Sequence, residues 1–409
     1  MERSTLHTFT AIFLLALCSI IYFFGLCFQL PFAVDLILVA VSFLALLQLL
    51  KGIETLPPLV ASKNKNIATL LFTLGIFLLV NRGFYLHEKY GLWDAWAFWN
   101  IHAKFLTDAA HWKLFLYPFA DAHPDYPLGL PATVAFLSRL FIVPNFIVPF
   151  AIATIVSILI PTLLFLELYR KNVLIALLMM LWLVTDDFYI QTSLSQYADS
   201  WVALYLLCSF IALHHFHKSG NKKLLIIAAA FIALSAWTKN EGIMYLLIWL
   251  LIHWKLFLQK ELRKSLIIGM MFPLIALFSF KVFLAPANDL LAMLHNIPEQ
   301  LKDTPARLAL ILKVFLRIMK EEFSLYGLGF IIGVVIAFRK KKMITNENLF
   351  LILSFAGIIL VYLLTPQDLE WQLNTSLDRL LAQLAPLFVY VLGKQLCNLS
   401  LPFFKQEAL

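Results

Sequence analysis

Long apolar segments recur along the whole chain, and they limit what it can fold into more than any other feature. Of its 409 residues, 62% are hydrophobic and 14% are charged, whereas soluble domains carry roughly 25% charged residues. A helix that crosses a bilayer needs about 20 mostly apolar residues. The sequence therefore predicts an all-α, polytopic membrane protein.

Twelve runs have about that length, although several of them are short. They lie at 9–28, 30–50, 67–84, 145–168, 173–188, 200–216, 223–238, 242–258, 265–285, 323–338, 347–364 and 378–394. The first run could belong to a signal peptide, but it is long and lacks a small-residue cleavage site, so we interpret it as a span. We predict about 12 transmembrane helices in a single membrane-embedded domain, 1–409.

The basic residues predict the orientation, because Lys and Arg are retained in cytoplasmic loops. With the N-terminus inside, the inner segments hold 19 basic and six acidic residues, a net charge of +13, the outer segments have a net charge of −4, and Asp35 lies within the second span. Both termini are then cytoplasmic. The formal charge of +8 reflects topology and does not imply nucleic-acid binding. The cysteines show neither CxxC pairing nor zinc-ligand spacing.

The dense polar clusters all fall on the predicted outer side. The largest, 91–131, is too charged to cross a bilayer and is rich in tryptophan, so we expect it at the membrane surface. The other clusters lie at 185–200, 237–242, 286–322 and 365–379. A protein whose polar clusters share one face is expected to function there.

Within the largest cluster, the residues after Trp93 fit a helix that lies on the membrane. Asp94, Phe98, Ile101 and Phe105 recur at steps of four, three and four, which predicts a single face. Asp94 would stand at the start of this helix, where it could simply be an N-cap. The stretch from His123 to Pro127 predicts an extended turn before a helix near Pro131.

These motifs, in this order, resemble the C-type glycosyltransferase superfamily (GT-C), and in particular the bacterial relatives of protein mannosyltransferases and of aminoarabinose transferases. The likeness rests on an aromatic-flanked Asp in the first large outer loop and on a later His-Pro-x-x-Pro. It also rests on Tyr197-Ala198-Asp199, on Thr238 to Gly242 and on Asp378-Arg379-Leu380-Leu381. Where family members often carry Asp-Glu, this chain has Asp94-Ala95. Residues 67–395 would form the GT-C-like core, with two extra N-terminal spans in 1–66.

The resemblance implies transfer of a sugar from a polyprenyl-phosphate donor to an extracytoplasmic lipid, glycan or protein, on the outer face of a plasma (bacterial inner) membrane. An acceptor hydroxyl needs a carboxylate base, for which we favour Asp94. The leaving phosphate needs fixed positive charge, for which we favour Arg379, then Lys239. Further candidates for orienting the acceptor or organising the site are Asp199, His102, Lys104, His123, Asp125 and Glu241.

Each assignment has a structural alternative. Lys239 could be a snorkelling lysine or the partner of Glu241. Arg379 could be an interface anchor paired with Asp378, and Asp199 could be an N-cap at the membrane edge. No cofactor is required by this reaction, although Asp94 with Asp199 could hold a divalent metal.

Two other classes of function remain open. A transporter or flippase for a polar lipid or small solute would also have this span count, but charges within spans are few and the two halves do not resemble each other. A non-catalytic assembly subunit would not explain the outward clustering of acids and aromatics. The segment 286–322 contains an amphipathic helix with Leu308, Ile311, Phe315 and Ile318 on its apolar side.

Overall fold

A computed structural model describes residues 3–51, 53, 63–86, 89–117, 123–143, 146–286, 303–340 and 345–399. Every regular element in these ranges is helical, which confirms the all-α prediction. The helices are α1 Arg3–Cys27, α2 Phe32–Leu50, α3 Lys63–Leu86, α4 Asn100–Thr107, α5 Gly129–Phe141, α6 Ile147–Tyr169, α7 Val173–Thr185, α8 Asp187–Leu194, α9 Asp199–Ser219, α10 Lys222–Thr238, α11 Asn240–Ile252, α12 Lys255–Leu258, α13 Lys260–Phe283, α14 Thr304–Glu321, α15 Ser324–Lys340, α16 Asn346–Leu364 and α17 Leu369–Cys397. A π-helix, Ala95–Trp99, precedes α4, and a 3-10 helix, Trp112–Leu116, follows it.

The described residues include eight helices long and apolar enough to cross a membrane. The pair α7 and α8, bent by 65° at Asp186, would make a ninth. The chain is therefore an integral membrane protein by length and composition. Three of the twelve predicted runs coincide with shorter helices, namely α10, α11 and α15 with 17, 13 and 17 residues. The count of twelve spans stays a prediction.

The centre of the molecule is built around α9 and α10. Within α9, 83% of the apolar window is buried. The neighbouring α10 carries Ala228, Ala229 and Ala230, and these small side chains let α9 and α13 approach closely. At Gly269 of α13, an added Cβ would lie only 2.3 Å from the carbonyl oxygen of Ile226. These contacts fix the ends of α9, α10 and α13 relative to one another.

The two N-terminal helices differ in how they pack. In α1, Phe9 contacts Phe231, Phe23 contacts Trp237, and the indole N–H of Trp237 donates to Ser19 Oγ over 3.0 Å. The apolar window of α1 is 61% buried, but that of α2 is only 17% buried. Of these two helices, α1 therefore packs deeply against the other helices, whereas α2 is largely exposed.

The described polar contacts gather at two ends of the helical assembly. At one end, the start of α9 meets the ends of α10 and α13 and the first half of α17. At the other, Glu167 at the end of α6 accepts from Thr5 Oγ1 at 3.0 Å and pairs with His215 at 2.7 Å. Lys394 pairs there with Glu347 at 2.6 Å. The first of these ends contains most of the predicted site residues.

The predicted amphipathic helix is present as α14. Ile311, Val314 and Ile318 form its buried side, and Lys313 is exposed. Leu308, which the pattern placed on the apolar side, is exposed. Residues 287–302 of the same predicted segment lie outside the described residues.

Candidate active site

The polar loop that carries Asp94 is docked on the turn that leads into α9. The backbone N–H of Leu92 donates to the carbonyl of Ser195 at 3.1 Å, and the Asn100 amide donates to Gln196 Oε1 at 2.8 Å. Gly91 has φ +76°, and an added Cβ would lie 2.6 Å from the Ser195 oxygen. Only glycine tolerates both constraints. This docking holds Asp94 near Asp199.

Asp94 does not cap the helix that follows it. Its backbone is already helical, and its side chain makes no capping hydrogen bond. The carboxylate instead pairs with the guanidinium of Arg379, 285 residues further along the chain. The capping alternative for Asp94 is therefore wrong in this structure.

The π-helix changes which side chains share a face after Asp94. A π-turn inserts an extra residue relative to α-helical spacing. Phe98 is buried together with His102 and Leu106, but Ile101 is exposed. The predicted apolar face through Ile101 is consequently wrong: the buried side runs through Phe98, His102 and Leu106, which the apolar spacing alone did not distinguish from the neighbouring side of the helix.

Arg379 lies at the centre of the first ion pair. Besides Asp94, its Nε–H donates to the Thr375 carbonyl at 3.1 Å, and its guanidinium lies 5.0 Å from the centroid of the Tyr197 ring. The Tyr197 hydroxyl in turn accepts from the backbone N–H of Asp94 at 3.2 Å. Burial, with the Asp94 charge adding to it, raises the pKa of Tyr197 to about 12. Tyr197 is therefore a neutral phenol that touches both members of the pair.

A second, more deeply buried cluster surrounds Lys239. The ammonium lies 2.8 Å from Asp199 Oδ1 and 3.2 Å from Glu241 Oε1, and the Gln383 amide donates to the same Asp199 oxygen at 2.6 Å. Burial lowers the pKa of Lys239, but the two carboxylates outweigh it and hold that pKa above its ordinary value. The charge of Arg379 opposes this increase, so the two ion-pair clusters interact electrostatically.

Asp125 joins the same end of the molecule through the loop before α5. Its Oδ2 accepts from the Asn240 amide at 2.9 Å and lies 3.4 Å from the Lys281 ammonium. Beside it, burial raises the pKa of Tyr126 well above its ordinary value, and the charges of Glu241, Asp125 and Asp94 add to the increase while Arg379 opposes it. The pKa of Tyr126 thus depends on charges from all three parts of the site.

The structure therefore brings together six of the nine residues predicted from the sequence: Asp94, Asp125, Asp199, Lys239, Glu241 and Arg379. We call this set, with Lys281 and Gln383, the ionic cluster. It also answers two of the alternatives. Arg379 forms its side-chain ion pair with Asp94, so it is not simply an anchor paired with Asp378. Lys239 forms an ion pair with Glu241, as the alternative proposed, but also with Asp199.

The other three candidates lie apart from these ion pairs. His102 is buried with its ring centroid 4.9 Å from that of Phe115. Lys104 has an exposed side chain. His123 has φ +41° and stacks on Tyr126 with a centroid separation of 4.9 Å. His102 and His123 therefore belong to the aromatic packing under the loop.

The sequence reasoning did not single out Gln383 and Lys281. Gln383 follows Arg379 by four residues, a spacing that places both on one helix face, and it is a polar residue within an apolar run. Lys281 stands near the end of the run at 265–285. A polar residue inside a span was the available signal for each of them.

A divalent metal held by Asp94 and Asp199 stays a prediction. Each carboxylate is already neutralised by a cation, Arg379 and Lys239 respectively. In the part of the chain that the structure describes, no three His, Cys, Asp or Glu residues converge as a metal-binding group. We derive no step through a metal.

Comparison with known proteins returned no match to this chain, whether with protein-family models, with curated proteins or with solved structures. The resemblance to the GT-C superfamily thus depends on the motifs quoted above.

Proposed function

We propose that the protein is an inverting glycosyltransferase that moves a sugar from a polyprenyl-phosphate donor to an extracytoplasmic lipid, glycan or protein acceptor. The observation that carries this proposal is the ionic cluster itself. Six separated parts of the chain supply carboxylates and cations, which pair with one another at one end of a membrane-embedded helical assembly. Burying so many charges is costly even when they are paired, and ionisable residues in such surroundings are therefore usually functional.

The pair of Asp94 and Arg379 supplies both chemical groups that the transfer needs. A donor phosphate competes with the Asp94 carboxylate for the guanidinium, which offers the forked geometry that phosphate favours. When phosphate binds Arg379, Asp94 is released beside the reacting centre. Binding of the donor would thereby produce a free base only when a leaving group is in place.

The reaction then proceeds as one direct displacement. The acceptor hydroxyl gives its proton to Asp94 as its oxygen forms a bond to the anomeric carbon. The bond from that carbon to the phosphate oxygen breaks, and the electron pair leaves with the polyprenyl phosphate. Arg379, and at longer range Lys239, stabilise the negative charge that develops there. Attack opposite the leaving group inverts the anomeric configuration.

Sugar transfer by the purified protein tests the proposal. The native protein in lipid nanodiscs is incubated with a panel of polyprenyl-phosphate sugars and candidate acceptors, and products are identified by mass spectrometry. Deleting the gene should also change one glycan or glycolipid. Asp94→Asn should reduce turnover by about 10²-fold or more, because the proton acceptor is lost.

Asp108→Asn provides the matched control. Asp108 lies in the same loop, is exposed, pairs locally with His111 and accepts from the backbone N–H of Ala110, so this variant should keep native turnover. Full transfer by a folded Asp94→Asn variant would assign the base elsewhere, with Asp199 next. Saturable solute movement in vesicles, with no transfer from any donor, would favour a transporter.

A further inference from the structure

Helix α14 has two apolar sides, and only one of them packs against the protein. The packed side consists of the buried residues Ile311, Val314 and Ile318. The second side follows a spacing of four residues, which keeps side chains in one row along a helix, and it consists of Leu308, Leu312 and Leu316. Their exposed fractions are 42%, 56% and 56%. We call these three residues the leucine row. An exposed apolar surface of this kind marks a contact with another protein or with a membrane.

Basic residues occupy the remaining side of α14, next to the leucine row. The helix holds four basic residues and one acidic residue, which gives it a net charge of +3, although the predicted outer side as a whole has a net charge of −4. Lys320 follows Lys313 by seven residues, close to two full turns, so the two lysines lie on the same side. Both are exposed, and neither forms an ion pair within the described part of the chain. Their charges are therefore available to a partner outside the chain.

Two arginines fix α14 at the place where two candidate spans meet. Arg307 Nη2 donates to the carbonyl oxygens of Tyr362 and Thr365, both at 2.9 Å, at the end of α16. Arg317 Nη2 donates to Asn374 Oδ1 at 2.7 Å, near the start of α17. Both α16 and α17 are long and apolar enough to cross a membrane. Because the end of a span marks the boundary between acyl chains and headgroups, these contacts hold α14 at that boundary.

We propose that α14 binds anionic phospholipid at the membrane surface. The leucine row lies among the acyl chains, and the ammonium groups of Lys313 and Lys320 bind headgroup phosphates. Anionic membranes bind amphipathic helices that combine an apolar side with neighbouring lysines.

Lipid fits this surface better than a protein partner does, because one bilayer supplies both the apolar contact and the opposite charge. The helix that follows α14 also begins with exposed apolar residues, Leu325 and Leu328. This surface lies outside the ionic cluster, and the proposal holds whether or not the protein transfers a sugar.

Spin labels on single cysteines test where α14 lies. The protein without its native cysteines is placed in nanodiscs of equal parts phosphatidylcholine and phosphatidylglycerol, and labels are attached to Leu312→Cys and Lys313→Cys. Leu44→Cys, at an exposed position of α2, is the lipid reference, and Ala110→Cys, at an exposed position of the loop, is the water reference. The label on Leu312→Cys should collide mainly with oxygen dissolved in the bilayer, and that on Lys313→Cys mainly with a water-soluble nickel complex.

Three other results of the labelling would overturn the proposal. Nickel collisions at both positions would leave the leucine row in water. Oxygen collisions at both would put the lysine side among the acyl chains. A label on Leu312→Cys that meets neither reagent would show that a protein, such as a second copy of this chain, covers the row.

Native mass spectrometry tests the choice of lipid and requires no change to the cysteines. The detergent-purified protein is titrated with phosphatidylglycerol and, separately, with phosphatidylcholine, and the bound lipids are counted. Replacing both lysines, Lys313→Gln with Lys320→Gln, should reduce the number of phosphatidylglycerol molecules retained, with binding at this site weakened roughly fivefold for each lysine. Retention of phosphatidylcholine should not change.

The matched control keeps the charge, as Lys313→Arg with Lys320→Arg, and should retain phosphatidylglycerol like the native protein. Basic residues elsewhere are the same in all three proteins, so the differences between them report on α14. Equal retention of phosphatidylglycerol by the native protein and the glutamine variant would overturn the proposal. An equal loss in the arginine variant would do the same, because it would show that charge is not what binds the lipid.

Discussion

Arg379 is the residue whose contacts most directly suggest a role beyond holding the fold together. It donates to Asp94 and to the Thr375 carbonyl, and it lies over the Tyr197 ring. Lysine keeps the charge but lacks the planar fork that makes these contacts together. Under the proposed function, a donor phosphate would replace the Asp94 carboxylate at this guanidinium.

Two substitutions of Arg379 should separate the contribution of its charge to donor binding from that of its planar shape. A hydrogen bond to a charged group contributes about 1.5–3 kcal/mol, so Arg379→Ala should raise the donor KM by roughly 10- to 100-fold. Arg379→Lys should have an intermediate effect. The measurement is sugar transfer at varied donor concentration. Unchanged donor use by Arg379→Ala would remove this residue from the donor site.

Tyr197 is positioned to align Asp94 with Arg379. Tyr197→Phe keeps the ring under the guanidinium and loses only the hydrogen bond from the Asp94 backbone. A bond of about 1 kcal/mol corresponds to roughly a fivefold fall in kcat, with little change in donor KM. Tyr197→Leu also removes the cation–π contact and should raise the donor KM. Equal KM effects of both variants would show that the ring does not support Arg379.

The sequence predicted most of the charged residues of the ionic cluster, but it missed Lys281 and the neutral Gln383. Asp199 and Arg379 were recognisable because an ionisable group at the end of an apolar run is costly and therefore notable. Gln383 is uncharged, and its partner lies 184 residues away. His102 and Lys104 share the loop with Asp94, but nearness in sequence does not place a side chain on the same face.

At the scale of elements, helix positions followed from composition, while helix phase and packing did not. All twelve apolar runs coincide with helices, because a helix that spans a bilayer needs a long run of apolar residues, which the sequence shows directly. The π-helix at Ala95–Trp99 has no comparable signal in the sequence, and Ile101, which was predicted to lie on the apolar face, is exposed. Similarly, α1 and α2 are both apolar, so composition could not show that only α1 is deeply packed.

The difference between these two helices gives a stability prediction. Phe23 of α1 is fully buried against Trp237 and Phe280. Phe23→Ala should destabilise the protein by about 3–5 kcal/mol, the usual cost of such a cavity. Leu44 of α2 is exposed, so Leu44→Ala should change stability by less than about 0.5 kcal/mol. Thermal unfolding in one detergent compares them, and similar losses would contradict a core role for α1.

At the scale of the whole molecule, the two polar ends carry different kinds of residues. One end holds the ionic cluster. The other holds the pair of His215 and Glu167 and the lysine-rich connections that the positive-inside rule predicts to be cytoplasmic. Helix composition alone could predict neither which polar groups meet nor how they pair. The charge asymmetry did predict that Asp94, Asp199 and Arg379 would share a side, and their direct and electrostatic contacts agree with it.

That asymmetry makes the orientation of the protein testable. Ala110 lies in the loop that carries Asp94, and Ser219 lies at the opposite end of α9 from Asp199; both are exposed. The four native cysteines, Cys18, Cys27, Cys208 and Cys397, are first replaced, and folding of that background is checked by elution and melting. Single cysteines at Ala110 and Ser219 are then treated with a membrane-impermeant thiol reagent in intact cells and in inverted vesicles.

Ala110→Cys should react from outside and Ser219→Cys only from the cytoplasmic side, because the predicted inner side has a net charge of +13 and the predicted outer side one of −4. Reaction of both from the same side would reject the topology, and reversed labelling would place the ionic cluster in the cytoplasm, where an extracytoplasmic acceptor could not reach it.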